Sequence, residues 1–545
     1  MSDDAETIIK HEASLRTDRY NFDSWWQDIA YRVLPQEATF TTVDAEGTKR
    51  TERLFDSTAA IANERFAAVV EDLLTPRTQI WHGLKPPAGF DELLKSRDNK
   101  IWYEQARDVL FGIRYAPSAN FASQKHQCYL SLGAFGNYAM FIDEAIGDRA
   151  APARFIACHM SEIVWSTGVD GRVDTIYRKF ELEARNAAKM FGEKTPAKIK
   201  AELAKDPFKK FCFIHCTKLN EERIQSRRDY RGMRWASYYV FVDDKAIVTA
   251  GGYRTWPWAV GRYMVSTREK YGRSPAMLAW PAIMTLQEEK KTVLRAGQLE
   301  VHPPVLLTEE GALEAFSLRP GALNHGLVND QGQELAKPFK TGADVPLGME
   351  LMQLEKQDIR DAFLQTIFEV LVENPQMTAT QVLEIAQSRG VLLAPTMGRL
   401  QSEDLGPSII REMDIAAEAG KLPPLPEELL ELEDVYRVEY SSPLARAQRA
   451  NEALAITRTL EILPAAIAVD PNAAYVMDIP ESTRAIAEIN GVPAKLLRDE
   501  KQIAAIVQQK QDADQAAAVA AAAPELSQAS LNAAKAESLR AGVPA

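Results

Sequence analysis

With 545 residues, 46% hydrophobic and 26% charged, the chain is longer than one ordinary domain and holds ample material for globular cores. Lys+Arg 64 against Asp+Glu 76 gives a net charge of −12, which argues against a protein that grips nucleic acid over a broad surface but not against one past which nucleic acid slides. Four cysteines make no disulfide framework and point to a reducing compartment; no apolar run of about 18 residues marks a transmembrane helix, and the start, MSDDAETIIKHEASLR, is acidic and polar, without a signal-peptide core.

The first third reads as helices. RYNFDSWWQDIAYRVLP places Phe22, Trp25, Trp26, Ile29 and Val33 on one face and stops at Pro35. FDSTAAIANERFAAVVEDLLTP follows, capped by Asp56 or Ser57 and closed by Pro76. Further helices are expected over Asn99–Phe111 and Ser118–Leu132. The middle turns to strands: NYAMFIDE, EIVWST, RVDTIYRKF, FCFIHCT and WASYYVFVDD are rich in β-branched and aromatic residues. GVDGR between the second and third is a hairpin signal, so this is an α+β region.

From Tyr271 the pattern is helical again. Pro275–Leu299 reads as one long helix with Pro281 near its start as a possible kink, and Met349–Val372 as a second, striped by Met352, Ile359, Phe363, Ile367 and Val370. Between them lies a Pro/Gly-rich insert of short strands and turns. After the second helix comes ENPQMTATQVLE. Pro375 lacks an N–H and pushes Asn374 out of the α region, which ends the helix. Thr378 and Gln381 have capping-box spacing, and Met377 and Val382 that of a hydrophobic staple, so a new helix starts at once. In the next apolar segment Pro407 should cost the bond to Glu403 and kink the helix, and Gly420 with Pro423 and Pro424 should stop it. More helices run to about Gln508, and the Ala-rich end, 509–545, reads as low complexity, frayed or disordered.

Few motifs carry chemistry. CFIHC at 212–216 has two Cys and a His, but on a strand Cys212 and Cys216 stand about 13 Å apart, too far for one zinc ion. Small buried hydrophobes fit those cysteines better. GAFGNY at 133–138 lacks the order of a phosphate loop and reads as a tight helix-to-strand turn. The seven histidines form no H-x-x-x-H spacing, and no G-x-S-x-G elbow occurs. Nothing here argues for an enzyme or a cofactor. Lys290, Lys291 and Arg295 on the first long helix, with Lys356 and Arg360 on the second, suit either a solvated face or one that contacts phosphates without reading sequence.

In order and spacing these segments resemble the head-to-tail connecting, or portal, proteins of short-tailed bacteriophages. The residues that carry the likeness include RYNFDSWWQDIAYRVLP, LFDSTAAIANERFAAVVEDLLTPRTQIWHGLKP, LGAFGNYAMFIDE, STGVDGRVDTIYRKFELEARNAAKMFG, RYMVSTREKYGRSPAMLAWPAIMTLQ, HPPVLL, RPGALN, MTATQVLEIAQSRG, GRLQSEDLGPSIIREM and GKLP, over residues 16–425. The resemblance implies an α+β, predominantly helical subunit: a wing (1–270), stem helices (271–299 and 348–372), a clip between them (300–347), a tunnel loop (373–380), inner wing and crown helices (381–508) and a tail (509–545).

It further implies a homo-oligomeric, dodecameric ring at one capsid vertex of the virion, assembled in the host cytoplasm. Double-stranded DNA would enter and leave through it, with no cofactor and no membrane involved. Partners would be the terminase large subunit, capsid and scaffolding proteins, and tail or adaptor proteins. On this basis Lys290, Lys291, Arg295, Lys356, Arg360, Asn374, Gln376 and Thr378 are expected to line the DNA channel, and Glu309, Glu310, Lys337 and Lys340 to form the docking clip. The loop itself holds no Lys or Arg. The rivals are a cytosolic metalloenzyme built on CFIHC and a monomeric helical scaffold protein.

Overall fold

A computed structural model describes residues 2–515 except 43–44, 46, 146, 149, 225, 228, 308–316, 318, 320, 324–326, 329–330, 340–341, 343, 366–394, 433–434, 441–442, 471–475, 491 and 499–501. The chain forms two compact units, one of Met1–Trp81 with Leu110–Lys421, the other of His82–Val109 with Leu422–Ala545.

The first unit opens with α1 (Ser2–Asp18), α2 (Tyr20–Val33) and α3 (Thr58–Leu74). On α2 the buried positions Trp26, Ile29, Ala30 and Val33 follow helical spacing. Trp26 sits among the rings of Phe22, Phe40, Phe135 and Tyr271, with the Arg19 guanidinium 5.2 Å above it. The cap of α3 comes from Asp56, whose carboxylate accepts from the Thr58 N–H at 2.9 Å, while Ser57 makes no side-chain cap.

Helix α4 (Arg97–Arg114) begins in the second unit, after β1 (His82–Lys85), and ends in the first. Next, α5 (Phe121–Phe135) packs so closely on α3 that a Cβ on Gly133 would lie 2.1 Å from the Asn63 side-chain oxygen. GAFGNY is the expected turn. Gly136 takes φ +73 as the C-cap, and β2 (Asn137–Glu144) starts at once. A Cβ there would also stand 2.7 Å from the backbone of residues 272–274, so only glycine fits.

Strand β2 is central in an antiparallel sheet of order β3-β2-β9, with β3 (Ala153–Cys158) and β9 (Trp258–Arg262). The second sheet runs β4 (Ile163–Thr167), β5 (Val173–Glu183), β6 (Lys210–Leu219), β7 (Trp235–Phe241) and β8 (Ala246–Tyr253), all antiparallel neighbours. GVDGR is its hairpin turn, with Gly168 N–H donating to the Arg172 carbonyl and Gly171 at φ +74. Both faces are covered. Ala5, Ile8 and Leu15 of α1 pack on Val164, Tyr177, Ile214, Cys216 and Val240. Ala184, Ala187 and Phe191 of α6 (Ala184–Phe191) and Ile199 of α7 (Ala197–Leu203) pack on Phe211, Phe213 and Phe241.

The expected first long helix is instead two. α8 (Pro275–Leu278) is a single turn capped by Ser274, and α9 (Trp280–Val301) begins afresh with Pro281 in its first turn. Proline there has no N–H to bond the preceding turn, and its ring excludes the carbonyl an unbroken helix would place against it, so the chain breaks rather than kinks. The second long helix is also shifted. α10 (Val345–Ala362) starts at an Asp344 cap with Pro346 behind it and stops at Phe363, because Leu364 turns to φ +62. It does not run unbroken to 372, and the insert shrinks to residues 302–344. Within it β10 (Val305–Leu307) pairs with β11 (Ala336–Pro338).

Residues 395–400 are helical, 401–405 form a π turn, and α11 (Gly406–Glu418) follows. The wide turn absorbs the bond that Pro407 cannot make. Gly420 at φ +64 and the Lys421 N–H bond to Ala416 end the helix as expected. In the second unit β12 (Arg437–Tyr440) pairs with β1, and Tyr103 donates to the Val435 carbonyl at 2.7 Å. α12 (Glu427–Leu430), α13 (Pro443–Val469) and α14 (Ile479–Ile489) complete it, and residues 502–515 are helical, so 509–515 are not the frayed stretch expected.

Candidate nucleic-acid interface

The two long helices flanking the insert, α9 and α10, lie antiparallel. Gly348 faces Val293, where an added Cβ would come 2.8 Å from the valine methyl. Four residues back on α9, Glu289 is held above the usual carboxylate range by burial and by Glu355 across the pair. On its inner side α10 buries Met352, Ile359 and Phe363, the first three residues of the expected stripe. Ile367 and Val370 lie outside the described residues.

Both helices close on one corner, Phe55–Asp56. The Gln287 side chain on α9 accepts from the Phe55 and Asp56 N–H groups at 2.7 and 3.0 Å and donates to the Asp56 carbonyl at 2.8 Å. From α10 Lys356 reaches the Asp56 carboxylate at 3.4 Å. Burial would raise that carboxyl, but the Thr58 hydrogen bonds and Lys356 outweigh it and hold it low. A buried amide satisfied by three backbone groups fixes the corner in a single geometry.

The basic residues therefore separate. Lys356 is engaged by Asp56, and Lys291 by Glu288 at 3.2 Å, with its ammonium 5.8 Å from the Phe55 ring. Lys290 and Arg360 are half-buried, and Arg295 is exposed. Asn374, Gln376, Thr378, Glu309, Glu310 and Lys340 lie outside the described residues, as do the Thr378–Gln381 box and the Met377–Val382 staple. Lys337 is exposed on β11 opposite Leu306.

A second set of residues was missed from sequence. The segment after residue 394 is held by buried ion pairs. Arg262 grips Glu403 bidentately at 2.7 and 2.6 Å, and Arg114 grips Glu412 at 3.2 and 2.6 Å. Lys125 pairs with Asp404, which also accepts from Tyr138 at 2.6 Å. Arg411 bonds Glu144 at 2.6 Å and Asp414 at 3.2 Å. Glu403 and Asp404 stand side by side in the π turn, and each finds its partner inside the fold on a different element. Burial pushes the Glu412 carboxyl up even against Arg114. A signal was available: in LQSEDLGPSIIREM the polar residues Asp404, Ser408, Arg411 and Glu412 recur at the i, i+4, i+7, i+8 spacing of one helix face.

The CFIHC residues do not converge. Cys216 packs under α1, whereas His215 faces the other way, stacked on Tyr239 at 4.2 Å and hydrogen-bonded to Ser237 at 2.9 Å. Among the described residues no group of three or more His, Cys, Asp or Glu could hold a metal ion. Burial, helped by Arg178, pulls the His215 pKa down to about 3 from 6.5. The ring must be neutral in the fold but charges when unfolded, so its contribution is full above pH 6.5 and is lost as pH falls toward 3. Relative to His215→Gln, wild type should lose stability between pH 6.5 and pH 4, read from guanidinium unfolding midpoints at several pH values. Parallel midpoints for the two proteins would remove His215 from the account.

No described helix is long and apolar enough to cross a membrane. Residues 5–497 match the family model described as bacteriophage head to tail connecting protein. A probable portal protein of Bordetella phage BPP-1 is 27% identical over 528 residues, covering 94% of this chain and 92% of its own. The portal protein of Salmonella phage epsilon15 is 24% identical over 521 residues, with the same coverage of each. A chain from the virion of a native gene transfer agent particle aligns at a TM-score of 0.36 and 11% identity over 81% of this chain and 94% of that one, too loosely to bear on the fold.

Proposed function

Because the chain belongs to the bacteriophage head to tail connecting protein family, we propose that it acts as a portal, an oligomeric ring at a capsid vertex joining head to tail, through which double-stranded DNA enters at packaging and leaves at ejection. The family's role is structural rather than enzymatic. The finer reading is a ring of about twelve subunits, assembled in the host cytoplasm with capsid and scaffolding proteins. It would dock the terminase large subunit and then tail or adaptor proteins.

One observation carries this reading: α10 exposes Leu347, Leu351 and Leu354 at 53%, 44% and 65%, spaced 4 and 3 as one helical stripe, on a helix whose Met352 and Ile359 are buried. An apolar row on a helix already packed on its other side calls for a neighbouring subunit. We assign α9 and α10 to the stem, residues 302–344 to the clip, the segments before α8 within the first unit to the wing, 373–380 to the tunnel loop, and the helices beyond to inner wing and crown.

Lys290, Arg295 and Arg360 are the stem cations left to meet DNA; Lys291 and Lys356 act in holding the corner. Asn374, Gln376 and Thr378 would border the duplex, and Glu309, Glu310, Lys337 and Lys340 would dock partners. A lane for sliding DNA must not hold it, since each neutralised phosphate adds affinity by counterion release. Subunits of net charge −12, with two of the five basic residues on the described stem helices already paired, fit that need.

The test is negative-stain electron microscopy of the purified chain with light scattering on the same sample. Closed rings with a central hole wide enough for a duplex are expected, either alone or once capsid and scaffolding proteins are added. Monomers under both conditions would overturn the reading.

A further inference from the structure

Both larger sheets have their edges closed by side chains or backbone, except one. On β4 the Trp165 N–H donates to the Tyr271 hydroxyl at 3.3 Å, and Arg19 covers the carbonyls of Met160 and Ile163. On β3 the Phe155 N–H donates to the Ala119 carbonyl at 3.2 Å and the Ala157 N–H to the Gln124 side chain at 2.7 Å. Strand β9 is buried along its whole length. The remaining edge, β8, reads AIVTAGGY. It carries no charge and no proline, none of its residues is buried, and among the described residues no further strand pairs with it. Native proteins blunt such edges with lysine, proline or a cover. Among the described residues the device on β8 is a bulge near Val248, which leaves Thr249–Tyr253 in regular register with Trp235–Tyr239.

We propose that β8 is a docking edge, and that its occupant is an extended segment of a different polypeptide that adds as a sixth strand, uncharged over about five residues and acidic beside it. A second copy of this chain fits poorly. The other described strands outside the two larger sheets run to three or four residues. Pairing β8 with itself in antiparallel fashion would make a two-fold dimer, which a head-to-tail ring does not contain. This last step rests on the ring reading above.

The chemistry of the flank comes from where β8 ends. Arg254 and Trp256 lead from it into a cavity of about 330 Å³ that Arg172, Arg234, Trp235 and Ile410 also line. The Trp235 and Trp256 rings lie 4.4 Å apart, and Arg172, Arg234 and Arg254 are exposed. Of the acids at this cavity Glu403 is paired with Arg262, while Asp174 accepts from Ser166 and Asp170 from the Arg172 N–H; Arg254 reaches Glu418 at 3.5 Å, so Arg172 and Arg234 are the rim cations offered to an incoming acid. Main-chain pairing along β8 would supply affinity, and the arginine-rimmed, indole-walled cavity would select an acidic segment with an apolar or aromatic anchor.

Hydrogen exchange read by mass spectrometry tests this on full-length rings, alone and after incorporation into shells formed with the phage's capsid and scaffolding proteins. Amides in Ala246–Tyr253 should exchange quickly in the isolated ring and slow by about tenfold or more in the shells. Thr249→Lys or Arg254→Glu should leave ring formation intact and abolish that protection, while Thr249→Val, which adds no charge, retains it. Protection already present in isolated rings would overturn the proposal by placing a copy of the chain on the edge. Rings that enter shells with no new protection would overturn it too. Micrographs without rings would sink the ring reading and this inference together, and are read separately from the exchange.

Discussion

Asp404→Ala should destabilise the first unit by about 3–5 kcal/mol, the cost of stranding one member of a buried ion pair. Lys125 and Asp404 have side chains 1% and 0% exposed. Removing the carboxylate leaves the ammonium with the Tyr138 hydroxyl at 3.5 Å and the faces of Tyr129 and Tyr138 at 5.3 and 5.1 Å, and none of these carries a compensating charge. It also strips Tyr138 of its acceptor. The double variant Lys125→Met with Asp404→Leu removes both charges at similar volume and should recover most of the loss, since a buried pair gains little over an apolar replacement once desolvation is counted. Denaturant midpoints for the two single variants and the double variant, at constant slope, close the cycle. A loss below about 1 kcal/mol for Asp404→Ala would mean that water reaches Lys125. The pair would matter for function because it anchors the segment that follows the proposed tunnel loop, 373–380.

How far the chain could be read before folding depended on the range of the forces. Strands β2, β5 and β6 and helices α2 and α3 were legible because their apolar periodicity is local and their ends carry glycine, proline or acid caps. α1 was not, because MSDDAETIIKHEASLR looks polar until Ala5, Ile8 and Leu15 meet a sheet formed more than a hundred residues later. Strand β8 was missed because its small residues and glycines give little strand signal. The breaks at Ala279 and Leu364 were hidden for different reasons. Pro281 showed as a kink but not as a full stop, and a left-handed leucine has no sequence mark.

The candidate interface was legible in part. Basic residues on two helices could be named, but not which of them would be claimed by carboxylates from elsewhere in the chain. Lys356 is taken by Asp56, an acid some 300 positions away that also caps α3. The spacing of Asp404 with the later charges hinted at a buried polar face, but its partners were hidden for the same reason, since Glu403 and Asp404 answer to Arg262 and Lys125 across the fold.

Leu351→Glu combined with Leu354→Glu should abolish ring closure while leaving the subunit folded. Leu354 points away from the buried Met352–Ile359 face, and Leu351 borders the cleft against α9 at its margin, 44% exposed, so the exchange removes little internal packing and should shift subunit stability by no more than about 1 kcal/mol. Between subunits the balance differs. Burying each leucine in a neighbour's surface contributes about 1.5–3 kcal/mol, and a carboxylate in its place must be desolvated beside Glu350 and Glu355, which already crowd this helix with negative charge. Every subunit in a closed ring makes two such contacts, so the loss recurs at each interface, and closure, which needs all of them at once, fails. Light scattering should find monomers at concentrations where wild type closes, with unchanged thermal unfolding of the subunit. Leu354→Met, similar in size and apolar, should still form rings. Full-yield rings from the double glutamate variant would show that the stripe faces solvent in the assembly, and the subunit contact would have to be sought on the outer side of α9, where Leu294 and Val301 are also exposed.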